Sequence, residues 1–333
     1  MNGSVAADPS QMFIRAAVPS SHRADECARF GDDGEVLAIE LHEHLHSHRL
    51  IEDFMILANV CAAETLERQK TACMYRVHDE PGREKLSALG EFLGTLGYNL
   101  AKGQVMKPAA LNGILRKAKG SPHEAVVNQV ILRAQAQALY SPDNHGHFGL
   151  ALRRYAHFTS PIRRYADLLV HRGLISGGRL GAGGLEAAQA QDFAAMGEKI
   201  SGLERTAMAA EREAMDRFSA AFMVSKVGAE LKGAISGVSR FGLFITLDDS
   251  GADGLIPLRT LGREYFRHEE HLHSLVGEET GVTYRLGDRV DVRLAEADAV
   301  SGRLRLEMLS DAAPRGRGKV RSRRQRGRRR RRG

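Results

Sequence analysis

The stretch His157-Phe-Thr-Ser-Pro-Ile-Arg-Arg-Tyr165 holds the densest potential chemistry in the chain. Ser160-Pro161 reads as a helix start, since serine can cap and proline suits the first helical position. Arg163 and Arg164 then fall in the first turn, where cations oppose the helix macrodipole. An anion bound there relieves the conflict, because free backbone N–H groups and guanidinium forks converge on it. Phosphate is the natural candidate. The alternative is a pair of exposed arginines bonded to nearby carboxylates, and spacing alone leaves both readings open. A second candidate is His42, His44, His46 and His48. On an extended strand the four imidazoles share a face that can take Zn²⁺ or Ni²⁺, although adventitious or no binding is the expected outcome.

Helices must position the first of these sites. Apolar spacing gives a helix from about Arg49, with Ile51, Phe54, Met55, Ala58 and Cys61/Ala62 on one face. Another runs from Arg83 to Leu96 on Leu86, Leu89, Leu93 and Leu96 and stops at Gly97. Ser121-Pro-His-Glu124 opens a third, with Val127, Ile131, Ala134 and Ala138 as its stripe. Tyr140 to His147 reads as a loop, and Gly177 to Gly184 as a flexible connection. The capping box Ser201-Gly-Leu-Glu204 begins a further helix that buries Leu203, Ala207, Ala210, Ala214, Phe218 and Phe222. Asp32-Asp33-Gly34 marks a turn between two short strands.

After about residue 225 the texture changes. Leu231–Val238, Phe241–Leu247, Gly254–Leu258, Arg289–Leu294 and Arg303–Leu309 read as five short strands, with alternation clearest in Val290/Val292/Leu294 and Leu304/Leu306/Met308. Their number and the glycines between them suggest an OB-type barrel beginning near Lys226–Gly228. Phe241 and Phe244 lie on opposite faces of an ideal strand, but a kink at Gly242 can bring both to the surface as a base-stacking platform. The other possibility is that one of them is core.

Arg315 to Arg332 holds twelve Lys/Arg and no carboxylate, so the formal charge of +7 for the 333 residues becomes −5 without it. Such asymmetry points to a polyanionic partner held without sequence readout. No apolar run approaches the roughly 20 residues that cross a bilayer, and the N-terminus lacks a signal pattern, so a soluble, cytoplasmic protein is expected. Cys27, Cys61 and Cys73 have neither disulfide-scaffold count nor CxxC spacing. Two fall in apolar patterns, and buried free thiols are expected.

His157-Phe-Thr-Ser-Pro-Ile-Arg-Arg-Tyr165 with His171-Arg172 resembles the signature of the ribonuclease II/ribonuclease R (RNB) family, and Leu50-Ile-Glu-Asp-Phe-Met-Ile-Leu-Ala-Asn-Val60 resembles its earlier helical motif. Phe241-Gly-Leu-Phe244, Asp253-Gly-Leu-Ile256 and Thr283-Tyr-Arg-Leu-Gly-Asp-Arg-Val290 resemble an S1-type RNA-binding domain. The resemblance runs from about residue 28 to 310. It implies an α+β chain: the mainly helical C-terminal part of an RNB catalytic domain (27–226), a five-stranded OB-type barrel (227–310) and a disordered basic tail (311–333), with 1–26 unassigned. It implies a processive 3′→5′ exoribonuclease that uses Mg²⁺ and releases nucleoside 5′-monophosphates from single-stranded 3′ ends. By the same resemblance Arg163 binds phosphate near the scissile bond, Glu211 belongs to the same active site, and Glu52 contacts the ribose. Arg164, Tyr165, Phe241 and Phe244 join them as RNA-binding residues. The aspartate cluster that holds Mg²⁺ in the family has no counterpart before Leu50, and Pro257 stands where a histidine is common in the barrel. A monomer is expected, with the tail on RNA or the ribosome. The competing readings are a truncated chain that only binds RNA and a metal-binding regulator using His42–His48.

Overall fold

The computed structural model describes residues 26–41, 45–100 and 106–309. The arginine-rich tail, His42 and His44 lie outside them. The chain opens with β1 (Glu26–Phe30) and β2 (Val36–Leu41), an antiparallel pair turned through Asp32-Asp33-Gly34, where Gly34 has φ +79°. Helix α1 (His46–Arg68) leads to β3 (Tyr75–Val77), then to α2 (Arg83–Thr95), α3 (Pro108–Ala118) and α4 (Glu124–Ala134). Strand β4 (Leu139–Ser141) returns to pair with β3, so Tyr140 is a buried strand residue and the loop begins only after Ser141. Helices α5 (Tyr165–Gly178), α6 (Ala187–Gln191) and α7 (Phe193–Met223) complete this half.

The helix α3, unmarked by any clear start in the sequence beyond Pro108, packs with α2 and α4 in one core of Leu89, Leu93, Leu111, Leu115, Val127 and Ile131. A second core joins α1, β3 and α5 through Ala63, Leu66, Val77 and Val170. Helix α4 begins at Glu124, three residues after Ser121, which instead accepts the His123 N–H within the preceding turn. The expected connection at Gly177 is still helix, and Ser176 and Arg172 bond to the carbonyls of Leu185 and Gly184, tethering the segment between α5 and α6.

Two helical faces differ from their sequence reading. The buried residues of α1 are Ile56, Asn59, Ala62, Ala63 and Leu66, while Leu50, Ile51, Phe54, Met55 and Leu57 are exposed, Phe54 by 59%. The helix is apolar on both sides of its first half, and among the described residues no element covers the side the spacing favoured. Cys61 is exposed with that side, Cys27 is exposed too, and only Cys73 is buried, its thiol pushed up to about 12 by desolvation. Helix α7 begins eight residues before Ser201, which lies inside it and donates to the Gly197 carbonyl while accepting the Tyr140 N–H. Its middle is exposed, including Leu203, Ala207, Ala210, Glu211 and Ala214; Phe218 and Phe222 are partly buried.

The last part is a closed barrel of β5 (Glu230–Ser239), β6 (Gly242–Leu247), β7 (Asp253–Pro257), β11 (Arg289–Asp298) and β12 (Arg303–Met308), in the order β11-β12-β7-β6-β5. Between β7 and β11 a small sheet intervenes: β8 (Phe266–Glu269), β9 (Ser274–Gly277) and β10 (Thr283–Arg285). Its strands of three or four residues are too short to show alternation. Barrel closure buries Leu243, Ile245, Val292, Leu294, Leu304 and Leu306, and the end of α7 adds Ala220 and Met223 to the same core. A bulge at Ser236 takes its carbonyl out of the β5–β6 ladder; Gln129 and Arg133 of α4 donate to it at 3.1 and 2.9 Å. No described helix is long and apolar enough to cross a membrane.

The double substitution Phe54→Ser/Leu57→Ser is expected to leave thermal stability nearly unchanged, within ~0.5 kcal/mol per site, and to lower binding of an apolar dye. Leu66→Ala, in the core, is expected to cost about 2–5 kcal/mol. Equal loss of Tm in both variants would contradict the exposure of the α1 face.

Candidate functional site

The segment Ser160 to Arg163 forms a turn, and α5 starts only at Tyr165 with Arg164 at its N-cap. The helix start inferred from Ser160-Pro161 is therefore four residues early. The cause is Asp167, in the first turn of α5 and fully buried. Its carboxylate accepts the Ser160 N–H at 2.7 Å and a guanidinium N–H of Arg164 at 2.9 Å, with a further Arg164 contact at 2.8 Å. The turn is folded back onto the helix by this one acid.

The two arginines consequently have different fates. Arg164 is partly buried and neutralised by Asp167, as the carboxylate alternative supposed. Arg163 is exposed, flanked by the fully exposed Ile162 and the half-exposed Tyr165, and has no carboxylate partner among the described residues.

Beneath the turn lies a network that the sequence did not announce. Asn59 of α1 donates to the Tyr155 hydroxyl at 3.0 Å and accepts the Phe158 N–H at 2.8 Å, which fixes the segment leading into the turn. His171 of α5 stacks on Phe158 with ring centroids 4.3 Å apart and pairs with the Phe158 carbonyl at 2.9 Å. The Tyr140 hydroxyl meets Nδ1 of His157 at 2.8 Å. Arg76 lies over the Tyr140 ring, 4.6 Å from its centroid, and is paired with Glu204 of α7 at 2.6 Å.

Both arginines inside this network are paired with acids, and its buried rings carry no charge. His157 is driven down to about 2, first by burial and then by Arg164, Arg76, His147 and Arg163. His147 falls to about 3 through burial, His78 and Arg76. Burial raises the Tyr140 phenol to about 12. The rings thus stay neutral at physiological pH, and what projects from the cluster is cationic. Only Asp167, at i+3 from Arg164, carried a sequence signal of this arrangement.

Of the other expected site residues, Glu52 is partly exposed on α1 and Glu211 is exposed on α7. No described hydrogen bond or ion pair joins either of them to Arg163. Of the four histidines, His42 and His44 lie outside the described residues; His46 and His48 are helical, in the first turn of α1, two positions and so about 200° apart, and His48 accepts the Leu45 N–H. No group of three or more His, Cys, Asp or Glu among the described residues can hold a metal ion. In the barrel both Phe241 and Phe244 are exposed, by 67% and 42%. Gly242 between them has φ +149°, and a Cβ there would lie 2.1 Å from the Ile256 carbonyl, so the kink requires glycine.

Comparison with known proteins agrees with both halves. The RNB domain matches residues 14–176 and the S1 RNA binding domain residues 225–309. Ribonuclease R of Aquifex aeolicus is 42% identical over 83% of this chain, which spans 39% of that protein. Ribonuclease R of Escherichia coli is 36% identical over 87% of the chain, which spans 37% of it. Mycoplasma genitalium RNase R, solved in its apo form, superposes with a TM-score of 0.79 at 27% identity, over 85% of this chain and 45% of that one. Structures of that protein with ribose methylated single-stranded RNA and with double-stranded RNA also match. The chain thus spans less than half the length of these relatives.

Two outcomes are expected of the site. Removing the buried acid with Asp167→Ala should cost about 3–5 kcal/mol, because Arg164 is left without its partner; Arg163→Ala should stay within ~0.5 kcal/mol of wild type. The depressed histidines make the unfolded chain bind more protons than the folded one below its ordinary pKa of 6.5, so stability is full above that value and falls with pH beneath it. Unfolding free energy should drop between pH 7 and 5, by on the order of 1–2 kcal/mol per ring, and Tm with it. His157→Gln should flatten that slope; an unchanged slope would refute the assignment.

Proposed function

Because the chain belongs to the ribonuclease R family, we propose that it carries the phosphate-side helices and the RNA-binding barrel of a processive 3′→5′ exoribonuclease. The substrate is RNA with a single-stranded 3′ end, and the products are nucleoside 5′-monophosphates. Arg163 carries the reading: it is exposed at a turn locked by Asp167, while its neighbour Arg164 is already neutralised. An exposed guanidinium on a turn fixed by hydrogen bonds, with no acid paired to it among the described residues, is suited to a backbone phosphate. Tyr165, half-exposed beside it, offers a ring to the adjoining nucleotide. Glu52 is assigned to the ribose and Glu211 to the same active site, each on a helix with an exposed face.

Metal dependence goes with the family, and Mg²⁺ is the ion we assign. The described residues do not hold it, so the roles open to them are binding and orientation. In the barrel Phe241 and Phe244 present bases with two stacking faces. The twelve cations between Arg315 and Arg332 supply sequence-independent attraction to RNA phosphates, free or in the ribosome. We assign the protein to the cytoplasm as a monomer.

A second reading, RNA binding without hydrolysis, is favoured by the lack of a metal-holding group among the described residues. Incubating the chain with a 5′-labelled single strand and Mg²⁺ separates the two. Progressive 3′ shortening, slowed at least about tenfold by Arg163→Ala, is the expected result. Intact RNA with retained, salt-sensitive binding would remove the enzyme reading for these residues, and full activity in Arg163→Ala would remove the site assignment. Deleting 315–332 should flatten the dependence of binding on salt.

A further inference from the structure

We propose that Tyr265 is a base-stacking residue of the barrel, forming with Phe241 a groove that takes one unpaired nucleotide of RNA. The inference rests on the RNA-binding reading of the barrel and deepens it. Tyr265 is 69% exposed, more than any other tyrosine among the exposed apolar side chains of the described residues. It lines one groove together with Arg240, Phe241, Pro257, Arg259 and Glu264. Aromatic faces in such a groove stack on any base, and the cations beside them meet the phosphate.

Its mounting argues against a merely stray surface ring. The next residue, Phe266, is buried in the barrel core and packs against Tyr284 with centroids 5.9 Å apart. The preceding one, Glu264, accepts the N–H groups of Glu279 and Thr280 at 2.8 and 3.0 Å. The Tyr265 carbonyl itself accepts the Glu278 N–H at 3.0 Å. Three consecutive residues are therefore tied to the small sheet, and Tyr265 is held out by them. A backbone fixed in this way before binding has little freedom left to lose on binding.

The opposite side is built in the same manner. The Phe241 carbonyl accepts the Leu258 N–H at 2.9 Å and its N–H donates to Ser239 Oγ at 3.2 Å. The Arg240 guanidinium lies 5.0 Å from the Phe241 ring centroid. Arg240 and Arg259 are exposed with no carboxylate partner among the described residues, whereas the groove's one acid, Glu264, is occupied by its backbone donors. Net positive charge and two aromatic faces fit a nucleotide better than an acidic or neutral small molecule.

The test is fluorescence anisotropy of the full chain with a labelled oligoadenylate of about 12 nucleotides, in chelator to prevent cleavage and at about 0.3 M salt to weaken purely electrostatic binding. An abasic strand of the same length is the second probe. Tyr265→Ala should weaken oligoadenylate binding at least about fivefold and leave the abasic strand unchanged, and Tyr265→Phe should bind like wild type. Wild-type affinity in Tyr265→Ala, with Phe241→Ala weakened, would overturn the role of Tyr265 and leave the barrel reading intact. Equal loss on both strands would overturn it as well. If neither alanine variant loses affinity, the barrel reading falls and Tyr265 with it.

Discussion

A buried carboxylate must be compensated, and that requirement at Asp167 organises the helical half of the chain. The acid sits in the first turn of α5 with no exposure to water, where its charge is tolerable only when paired. It obtains its partners by pulling the Ser160 N–H and the Arg164 guanidinium inward. The pull bends Ser160–Arg163 into a turn and leaves Arg163 outside. Asn59 and His171 brace the strand of residues leading into that turn from α1 and from α5. Exposure of one arginine is thus a consequence of neutralising the other.

The barrel is attached by a comparable logic. The bulge at Ser236 frees a carbonyl that water would otherwise have to satisfy, and two side chains of α4 take it. On the other side the end of α7 enters the barrel core with Ala220 and Met223. Gly302 lies so close to Asp216 and Arg217 that a Cβ would approach their backbone at 3.0 Å. Together with the Phe92–His273 ring contact, 5.2 Å between centroids, these polar and apolar contacts set where the groove of Phe241 and Tyr265 stands relative to the helices. Burial at several contacts opposes free swinging of the barrel.

What could be read from the sequence tracked the strength of local periodicity. The five barrel strands were legible because Val290/Val292/Leu294 and Leu304/Leu306 alternate without interruption, and the Asp32-Asp33-Gly34 turn because glycine takes a positive φ there. The strands β8–β10 were not, and Tyr265 was missed with them. Helix α1 misled because its apolar residues occupy two faces, and only tertiary contact selects Ile56, Ala63 and Leu66. Ser201 imitated a cap while bonding to Gly197 inside a longer helix. The exposed Phe241 and Phe244 were legible through Gly242, whereas the Arg76–Tyr140–His157 network joins residues too far apart in sequence for any spacing rule.

The uncovered apolar surface is not distributed evenly. The barrel closes on itself and needs no neighbour beyond α4 and α7. Besides Phe241, Phe244, Tyr265 and Val300 of the barrel half, large apolar residues are exposed on the first half of α1, at Ile162, Tyr165 and Leu168, and on the middle of α7 at Leu203 and Met208. Those are the elements that carry Glu52, Arg163 and Glu211. Exposed apolar side chains at these places are surface open to contact. The relatives are more than twice as long as the region they share with this chain, and the described residues lack a metal-holding group. Ile162, Tyr165 and Leu168 are exposed beside Arg163, so the turn that holds it is bordered by uncovered apolar surface. The bonds that fix that turn, from Asp167, Asn59 and His171, all lie within the described residues.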